Sequence, residues 1–231
     1  MGQRANFEET YTGKSLQGSY IAGVYYPDKT RVGWWKNGYP EYFAKVLNSC
    51  NWIGLNVKVD GETLDLNTAT AVTDFYRELD MKSGLLKRSF QATLPSGKML
   101  AINTERFVSI VKDEIGALSY SIVPINFSGS IEICSYLDFD VKNEDSNYNE
   151  KFWESVSCGQ ENGSSYVHAR TKKTRFEVSV AMRNYTAIDG ASVAWDSTTE
   201  ATHMCVCECA CLLYTSPSPR DQRGSRMPSS A

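Results

Sequence analysis

The chain has 231 residues, of which 42% are hydrophobic and 22% are charged, a composition that can bury a globular core. Its net charge of −3 and its pI near 5.5 argue against nucleic acid as a partner. No apolar run reaches the roughly 18 residues that a membrane span needs, and the polar first residues do not form a signal peptide. We therefore expect a protein of the cytoplasm with neither a nucleic-acid nor a membrane partner.

An aromatic segment, residues 20–52, dominates the first part of the chain. It reads YIAGVYYPDKTRVGWWKNGYPEYFAKVLNSCNW and holds three of the five tryptophans, Trp34, Trp35 and Trp52. The pattern predicts a strand before Pro27 and a polar and aromatic loop over residues 28–38. Pro40 can occupy the first position of a short helix, and the residues after it fall at helical spacing.

Beyond this segment the dominant period is two, which indicates β-strands. Ile53, Leu55, Val57 and Val59 form a half-buried strand that ends at an Asp-Gly turn, residues 60–61, and Leu64 with Leu66 suggests its return strand. Further strands are predicted at Leu85–Thr93, 99–103, 106–111, 118–123, 131–141 and 176–182. The polar residues 143–163 predict a long loop. This pattern favours an all-β fold, a large antiparallel sandwich of two sheets.

Seven cysteines are present, four of them in a CxCxCxC run. The run is Cys205, Cys207, Cys209 and Cys211. Thiolates bind zinc and copper(I), but structural zinc sites use wider spacing, and on an extended chain this spacing throws alternate thiols to opposite sides or crowds them. We predict no metal site. The scattered Cys50, Cys134 and Cys158 favour a reducing compartment over a disulfide framework.

Several stretches of this sequence resemble the N-terminal domain of glycoside hydrolase family 65. They are GQRANFEETYTG (residues 2–13), AGVYYPDKTRVGWWKNGYPEYF (22–43), NWIGLNVKVDGE (51–62), the turn region at 79–86 and TERFVSI (104–110). The resemblance is greatest to the maltose-phosphorylase branch, with kojibiose and trehalose phosphorylases as relatives, and it thins after about residue 185.

The resemblance implies a galactose-mutarotase-like super-sandwich that is incomplete at both ends, with Met1 as an internal residue. It implies a parent enzyme that is an inverting, homodimeric disaccharide phosphorylase, with an α-glucoside such as maltose and inorganic phosphate as substrates and with no cofactor. In the family the catalytic acid and the phosphate pocket lie in a helical (α/α) toroid domain, the partner of this region. We therefore predict no catalytic residue here and expect the chain alone to be inactive. A hydrolase of the same family and a free-standing carbohydrate-binding module remain as alternatives.

The last residues have a different origin in our interpretation. Residues 211–221, CLLYTSPSPRD, match one reading frame of a sequencing-library adapter, and 225–231 match its continuation. We predict a sandwich domain over 1–204, a disordered tail over 205–231 and translated adapter over 211–231.

Few side chains suggest a site. Glu8 with Glu9, and Asp138 with Asp140, are carboxylate pairs of the kind that glycoside cleavage needs, but the face of Asp138 and Asp140 has the polar pattern of a solvated strand. Neither His168 nor His203 lies in a recognisable motif.

The aromatic loop offers the best candidate surface. Trp34 and Trp35, with Arg31 and Lys36, could stack on sugar rings or pack in an interface, since Trp, Tyr and Arg are enriched in interfaces. We favour the interface.

Overall fold

The computed structural model describes residues 2–3, 8–9, 18–30, 37–143, 150–161, 164–193, 198–202 and 204–214. Within them no helix is long and apolar enough to cross a membrane. Eighteen strands are present in the described residues. In chain order they are β1 Gly2–Gln3, β2 Ser19–Tyr20, β3 Tyr25–Lys29, β4 Tyr42–Val46, β5 Asn51–Val59, β6 Glu62–Thr63, β7 Ala71–Asp80, β8 Leu85–Thr93, β9 Met99–Val108, β10 Gly116–Pro124, β11 Gly129–Asp138, β12 Trp153–Glu161, β13 Ser164–Thr171, β14 Glu177–Met182, β15 Thr186–Ile188, β16 Ala191–Val193, β17 Thr198–Thr202 and β18 Cys205–Tyr214.

The strands form antiparallel sheets, which confirms the all-β class. The larger sheets have the strand orders β17-β18-β11-β5-β6, β10-β9-β8-β7 and β12-β13-β14, and the pairs β1-β2, β3-β4 and β15-β16 form two-stranded sheets. The chain divides into two compact units. The first unit consists of Met1–Asn56 and Ile133–Ala210, and the second unit is built on Val57–Glu132.

In the second unit, β7 to β10 form a meander whose buried side follows the alternation of the sequence. Phe90 and Ala92 of β8 lie opposite Ile102 and Leu100 of β9, and all four are buried. Successive side chains of a strand point to opposite faces, so on β9 Arg106 is buried and its neighbour Glu105 is exposed.

The turns of the second unit follow from their sequences. Asp60 and Gly61 both have positive φ, 48° and 83°, the conformation of a tight hairpin turn between β5 and β6. The Asp60 carboxylate accepts a hydrogen bond from the Ser130 backbone N–H at 2.7 Å and pairs with Lys98 Nζ at 2.6 Å. The Lys98 hydrogen bond, with that of Ser130, lowers the pKa of Asp60.

The first unit has an aromatic core. Tyr26 packs against Phe152 with ring centroids 4.6 Å apart, and Phe139 packs against Trp153 at 5.0 Å. All four side chains are buried in one cluster with Leu137. Aromatic pairs of this kind contribute about 0.5–1.5 kcal/mol beyond the area that they bury.

A buried polar network joins distant segments of the first unit. Asn48 Oδ1 accepts from the Ser19 backbone N–H at 2.8 Å, and Asn48 Nδ2 donates to the Lys142 carbonyl at 3.0 Å. The Asn48 backbone N–H donates to Asn143 Oδ1 at 2.8 Å, and Trp153 Nε1 donates to the Asn48 carbonyl at 2.7 Å. The network satisfies backbone groups that no sheet partner reaches, as burial requires.

Most predicted strands are confirmed, and several predictions are wrong. The strand at Leu85–Thr93 is confirmed, whereas the return strand predicted at Leu64 is the two-residue β6, which ends at Thr63. The helix predicted at Pro40 is instead β4, because its backbone pairs with β3. The predicted loop 143–163 contains β12, whose mostly polar sequence shows no simple alternation of buried and exposed residues.

The predicted polar face of β11 is solvated only in part, because Glu132 and Asp140 are exposed to solvent while the residues between them are covered. Cys134 on that face is buried and forms a disulfide with Cys209, with Cα atoms 4.0 Å apart. Tyr136 lies over Gly54, where any Cβ would overlap the tyrosine ring. Burial raises the pKa of Tyr136 to about 12. Over Cys134 and Tyr136, protein therefore replaces the solvent that we expected on this face.

The disulfide and β18 also correct two predictions about the cysteines and the tail. The expectation of cysteines without disulfides is wrong for Cys134 and Cys209. Residues 205–214 form β18, so the disordered tail predicted from residue 205 is wrong over that range. The sulfurs of Cys205 and Cys207 lie 3.8 Å apart, which shows crowding on one side of the strand. Residues 215–231 lie outside the described residues, and the adapter origin of 211–231 stays a prediction.

Candidate functional site

The β3–β4 hairpin is the best-defined part of the aromatic segment. Its register places Tyr25 opposite Val46, Pro27 opposite Ala44 and Lys29 opposite Tyr42. Proline is tolerated at this position because the two-stranded sheet leaves one side of β3 without a ladder in the described residues. The Thr30 hydroxyl donates to the Pro40 carbonyl at 2.9 Å and closes the hairpin at that end.

One face of the hairpin, which we call the inner face, is anchored on the core of the first unit. Tyr26 packs on Phe152, and the Lys45 Nζ lies 5.6 Å from the centre of the Phe152 ring. Lys45 also pairs with Asp28 at 2.5 Å, and both side chains are largely buried. Burial raises the pKa of Tyr26, and the nearby Lys173 ammonium partly opposes that rise. Packing and the ion pair together fix the hairpin.

The opposite face, which we call the outer face, is exposed and mostly apolar, with the charged Lys29 at one end opposite Tyr42. It carries Tyr25 at 44% exposed, Tyr42 at 53% and Val46 at 56%. Pro27 and Ala44 lie between them and leave the surface flat. A shallow cleft of about 430 Å³ adjoins this face and is lined by Tyr25, Ala44, Val46 and residues 20–24. Such a surface can stack on a sugar ring or pack against protein, and it offers few polar groups for orienting a small ligand.

The predicted site residues belong to the segment that connects β3 to β4. Arg31, Trp34, Trp35 and Lys36 fall between β3 and β4 in sequence and lie outside the described residues. Their proposed role in an interface or in sugar contact stays a prediction. The outer-face tyrosines were not singled out from the sequence; the signal for them was the apolar pair Tyr25 and Pro27 at alternate positions of β3.

The two carboxylate pairs that the sequence suggested, Glu8 with Glu9 and Asp138 with Asp140, take part in contacts that hold the local structure. Glu8 and Glu9 are buried, and Glu9 pairs in parallel with Leu55, whose backbone N–H donates to the Glu8 carbonyl at 2.7 Å. Asp138 Oδ1 accepts the Asp140 backbone N–H at 2.7 Å, and Asp140 pairs with Lys151 at 2.5 Å.

Burial raises the pKa of Asp138. A raised pKa suits a general acid, but the Asp138 carboxylate is engaged by the backbone of its own turn. Neither pair therefore has the arrangement of two carboxyl groups facing each other across an open sugar site.

Charged residues of β12, β13, β14 and the turn before β14 form a cross-strand network that the sequence did not predict. Arg170 Nε and Arg175 both donate to Glu154 Oε1, at 2.9 Å and 2.5 Å. The Arg170 hydrogen bond is the main reason that the pKa of Glu154 is lowered, and Arg175 adds to it. His168 Nε2 lies 3.6 Å from Glu177. The network ties three strands together and offers no nucleophile.

Metal ligation has no support in the described part of the chain. No group of three or more His, Cys, Asp and Glu side chains there is arranged to hold a metal ion. His203 lies outside the described residues.

These features define an all-β antiparallel domain that has an exposed, mostly apolar hairpin face and no assembled catalytic centre in its described residues. The model of the N-terminal domain of glycosyl hydrolase family 65 matches residues 1–212. The chain therefore belongs to glycosyl hydrolase family 65, through the N-terminal domain of that family.

Two curated relatives are named for disaccharide phosphorolysis. The chain is 46% identical over 191 residues to maltose phosphorylase of Bacillus subtilis (strain 168), covering 80% of the chain and 25% of the relative. It is 32% identical over 205 residues to alpha,alpha-trehalose phosphorylase of Thermoanaerobacter brockii, covering 82% of the chain and 26% of the relative. The chain thus spans about a quarter of the length of these relatives.

A solved structure shares the fold. The structure titled putative kojibiose phosphorylase from human microbiome superposes with a TM-score of 0.78 at 23% identity, over 94% of this chain and 27% of that one. At this identity the likeness concerns the fold.

Proposed function

We propose that this chain is the N-terminal domain of a cytoplasmic, homodimeric, inverting disaccharide phosphorylase that acts on maltose and phosphate, and that the domain itself is not catalytic. The observation that supports the proposal most strongly is the 46% identity to a maltose phosphorylase over most of the chain. The exposed outer face of the hairpin supports a role in contacts with other parts of the enzyme.

The chemistry of phosphorolysis explains what the domain does not need to supply. A phosphate oxygen attacks the anomeric carbon, the bond from that carbon to the glycosidic oxygen breaks, and an acid gives its proton to the departing oxygen. Inversion converts the α-linkage of maltose into β-glucose 1-phosphate and leaves glucose. Asp138, the described carboxyl group with a raised pKa, is held by its own turn, so we place the acid in the catalytic toroid domain of the parent enzyme.

The proposed role of the hairpin is to pack against protein. Tyr25, Tyr42 and Val46 would lose exposed apolar area on packing, a gain of about 25 cal/mol per Å². Trp34 and Trp35 extend the same segment in sequence and would add to that gain.

Assay of the intact protein that carries this domain tests the activity. We expect phosphate-dependent consumption of maltose with β-glucose 1-phosphate and glucose in equal amounts. Release of two glucose molecules at a rate independent of phosphate would show the family hydrolase instead. An intact gene that encodes no toroid domain would favour the carbohydrate-binding module.

A second experiment separates an interface from a sugar platform. Maltose is titrated against the intrinsic fluorescence of the chain, for the wild type, the Tyr25→Ala/Tyr42→Ala variant and the Trp34→Ala/Trp35→Ala variant. We expect no saturable change in any of them, and we expect both variants to lower the thermal stability of the intact enzyme with KM for maltose nearly unchanged. Tyr185→Ala is the control, because Tyr185 is exposed but lies outside the hairpin. A saturable, maltose-specific change that the double variants abolish would overturn the interface.

A further inference from the structure

The three-stranded sheet β12-β13-β14 has one face in the core of the first unit and one face directed away from it. Val167 and Ala169 of β13 are buried in the core cluster. Because successive side chains of a strand point to opposite faces, Tyr166, His168 and Arg170 lie together on the other face, where they are half-buried. We call these three residues the β13 row.

Small residues flank Tyr166 and His168 on both neighbouring strands. In register they are Gly159 and Ser157 of β12 and Ala181 and Ser179 of β14. A Cβ added at Gly159 would lie 4.0 Å from the Tyr166 hydroxyl oxygen, so the tyrosine leans over the position where β12 has no side chain. On the β14 side Ser179 and Ala181 are exposed and short, which leaves a shallow trough beside the β13 row.

Polar side chains lie at one end of this trough. Arg170 Nη1 is 3.6 Å from Glu177 Oε1, and His168 Nε2 is 3.6 Å from Glu177 Oε2. The Glu177 side chain is 53% exposed, so its carboxylate can accept further hydrogen bonds from a ligand. The exposed Ser179 hydroxyl, opposite His168, can both donate and accept.

The charges on this face disfavour an anionic ligand. Arg170 and Arg175 both pair with Glu154, and Arg170 also approaches Glu177. Glu161, at the far end of β12, adds an exposed carboxylate. A phosphate or carboxylate group would therefore meet guanidinium groups that already have carboxylate partners.

A neutral sugar chain suits the groups that remain. The ring of Tyr166 offers an apolar surface to the C–H groups of a sugar ring. Hydroxyl, imidazole and carboxylate groups exchange hydrogen bonds with sugar hydroxyls, and a few such groups around an apolar contact are usual in small-molecule sites. The β13 row spans four residue steps, about 13 Å, which is longer than a disaccharide.

We propose that the trough between the β13 row and β14 binds an α-linked gluco-oligosaccharide of three or more units. Tyr166 stacks on one sugar ring, and His168, Glu177 and Ser179 bond with hydroxyl groups of the rings that follow. The choice of α-linked glucose rests on the proposed function, since maltose is the shortest chain of this kind. Maltose itself covers part of the row, and we expect it to bind too weakly to saturate the site.

A chemical-shift titration of the ¹⁵N-labelled chain with maltohexaose tests this site. One stacked ring and a few hydrogen bonds predict a dissociation constant on the order of 1 mM, with the shifts concentrated at amides of β13 and β14. We expect Tyr166→Ala to weaken binding at least about 10-fold and Tyr166→Phe, which keeps the ring, to change it less than about 3-fold. Tyr185→Ala is the control, because Tyr185 is exposed but lies outside the β13 row.

A further variant leaves the tyrosine in place. Ala181→Gln fills the trough beside Tyr166 and should also weaken binding at least about 10-fold. The dispersion of the amide signals checks that each variant is folded.

Three results would overturn the site. They are the absence of saturable shifts up to about 10 mM maltohexaose, equal affinity of the wild type and folded Tyr166→Ala or Ala181→Gln, and shifts of the same amides by inorganic phosphate at the same concentrations. The assay of the intact protein on maltose decides the proposed function separately. A phosphorylase whose N-terminal domain binds no maltohexaose would contradict only the site, and a hydrolase whose domain binds it would contradict only the function.

Discussion

The four-stranded sheet of the second unit, which is built on Val57–Glu132, and the polar network around Asn48 in the first unit, formed by Met1–Asn56 and Ile133–Ala210, differ in how far apart along the chain their contacting residues are. In the second unit β7, β8, β9 and β10 each pair with the next strand in sequence through a short turn. In the first unit Asn48 bonds with Asn143, 95 residues away, and Trp153 bonds with Asn48, 105 residues away. Local hairpins can be predicted from sequence patterns, whereas contacts between distant segments cannot.

The largest expected effect is loss of the disulfide in the first unit. Cys134 and Cys209 are 75 residues apart, and closing a loop of that length is worth about 4 kcal/mol in the chain-entropy description. We expect Cys209→Ser to lower the free energy of unfolding in urea by about 2–4 kcal/mol. The second unit's Val57–Glu132 contains no cysteine and should keep its own stability.

Cys158→Ser is the control, because Cys158 is outside the disulfide. Equal stability of the wild type with and without reductant would show that the bond does not form in solution.

The next largest expected effect is a loss of stability at a buried asparagine. It is measured by comparing two asparagines that each make two side-chain hydrogen bonds to the backbone. Asn48 in the first unit is buried, whereas Asn126 in the second unit is exposed and bonds with Met99 N–H at 2.7 Å and Gly97 C=O at 3.0 Å. Removing Asn48 leaves the Ser19 N–H and Lys142 C=O without their partner, at roughly 1–3 kcal/mol each. Water can replace Asn126.

We therefore expect Asn48→Ala to cost about 3 kcal/mol and Asn126→Ala to cost less than about 1 kcal/mol, measured by denaturant unfolding. Equal costs for the two variants would contradict the difference between the units.

The smallest expected effect is on the pH dependence of stability. It is measured by comparing two aspartates whose pKa values are shifted in opposite directions. Burial raises the pKa of Asp138 in the first unit, so the folded state prefers its protonated form, and stability is lost as pH rises from 3.8 through the raised pKa. The hydrogen bond from Lys98 lowers the pKa of Asp60 in the second unit. Its contribution is therefore present above pH 3.8 and is lost as pH falls through the lowered pKa.

Melting temperatures between about pH 3 and 7 measure this contrast. At pH 7 we expect Asp138→Asn to be more stable than the wild type and Asp60→Asn to be less stable, with both differences shrinking on acidification. Differences of the same sign would show that one of the two pKa shifts has been assigned in the wrong direction.

The sequence predicted the second unit better than the first for a physical reason. Leu85–Thr93 shows its alternation and ends in the Pro-Ser-Gly turn, and its partners are the strands next to it in sequence. The helical spacing after Pro40 was misleading because pairing with β3 decides the structure there. Cys134 is covered through its disulfide with Cys209, and no local sequence pattern predicts that pairing.

The candidate site was predictable only in part. The aromatic segment was identified from composition, but its outer face is defined by the register that places Tyr25 opposite Val46. The strand β14 was predicted as a strand, whereas its position beside β13 follows from the sheet order. The sequence thus indicated the segments that form the candidate surfaces, whereas the pairing of the strands determines which of their side chains are exposed.

Production of β-glucose 1-phosphate from maltose and phosphate, followed by phosphorus NMR, is the most direct test of the central claim. The account predicts that the purified chain forms none, while the intact protein that carries the domain forms it in the presence of both substrates. Formation by the chain alone, in proportion to its concentration and retained through repurification, would contradict the claim that the catalytic groups lie outside it.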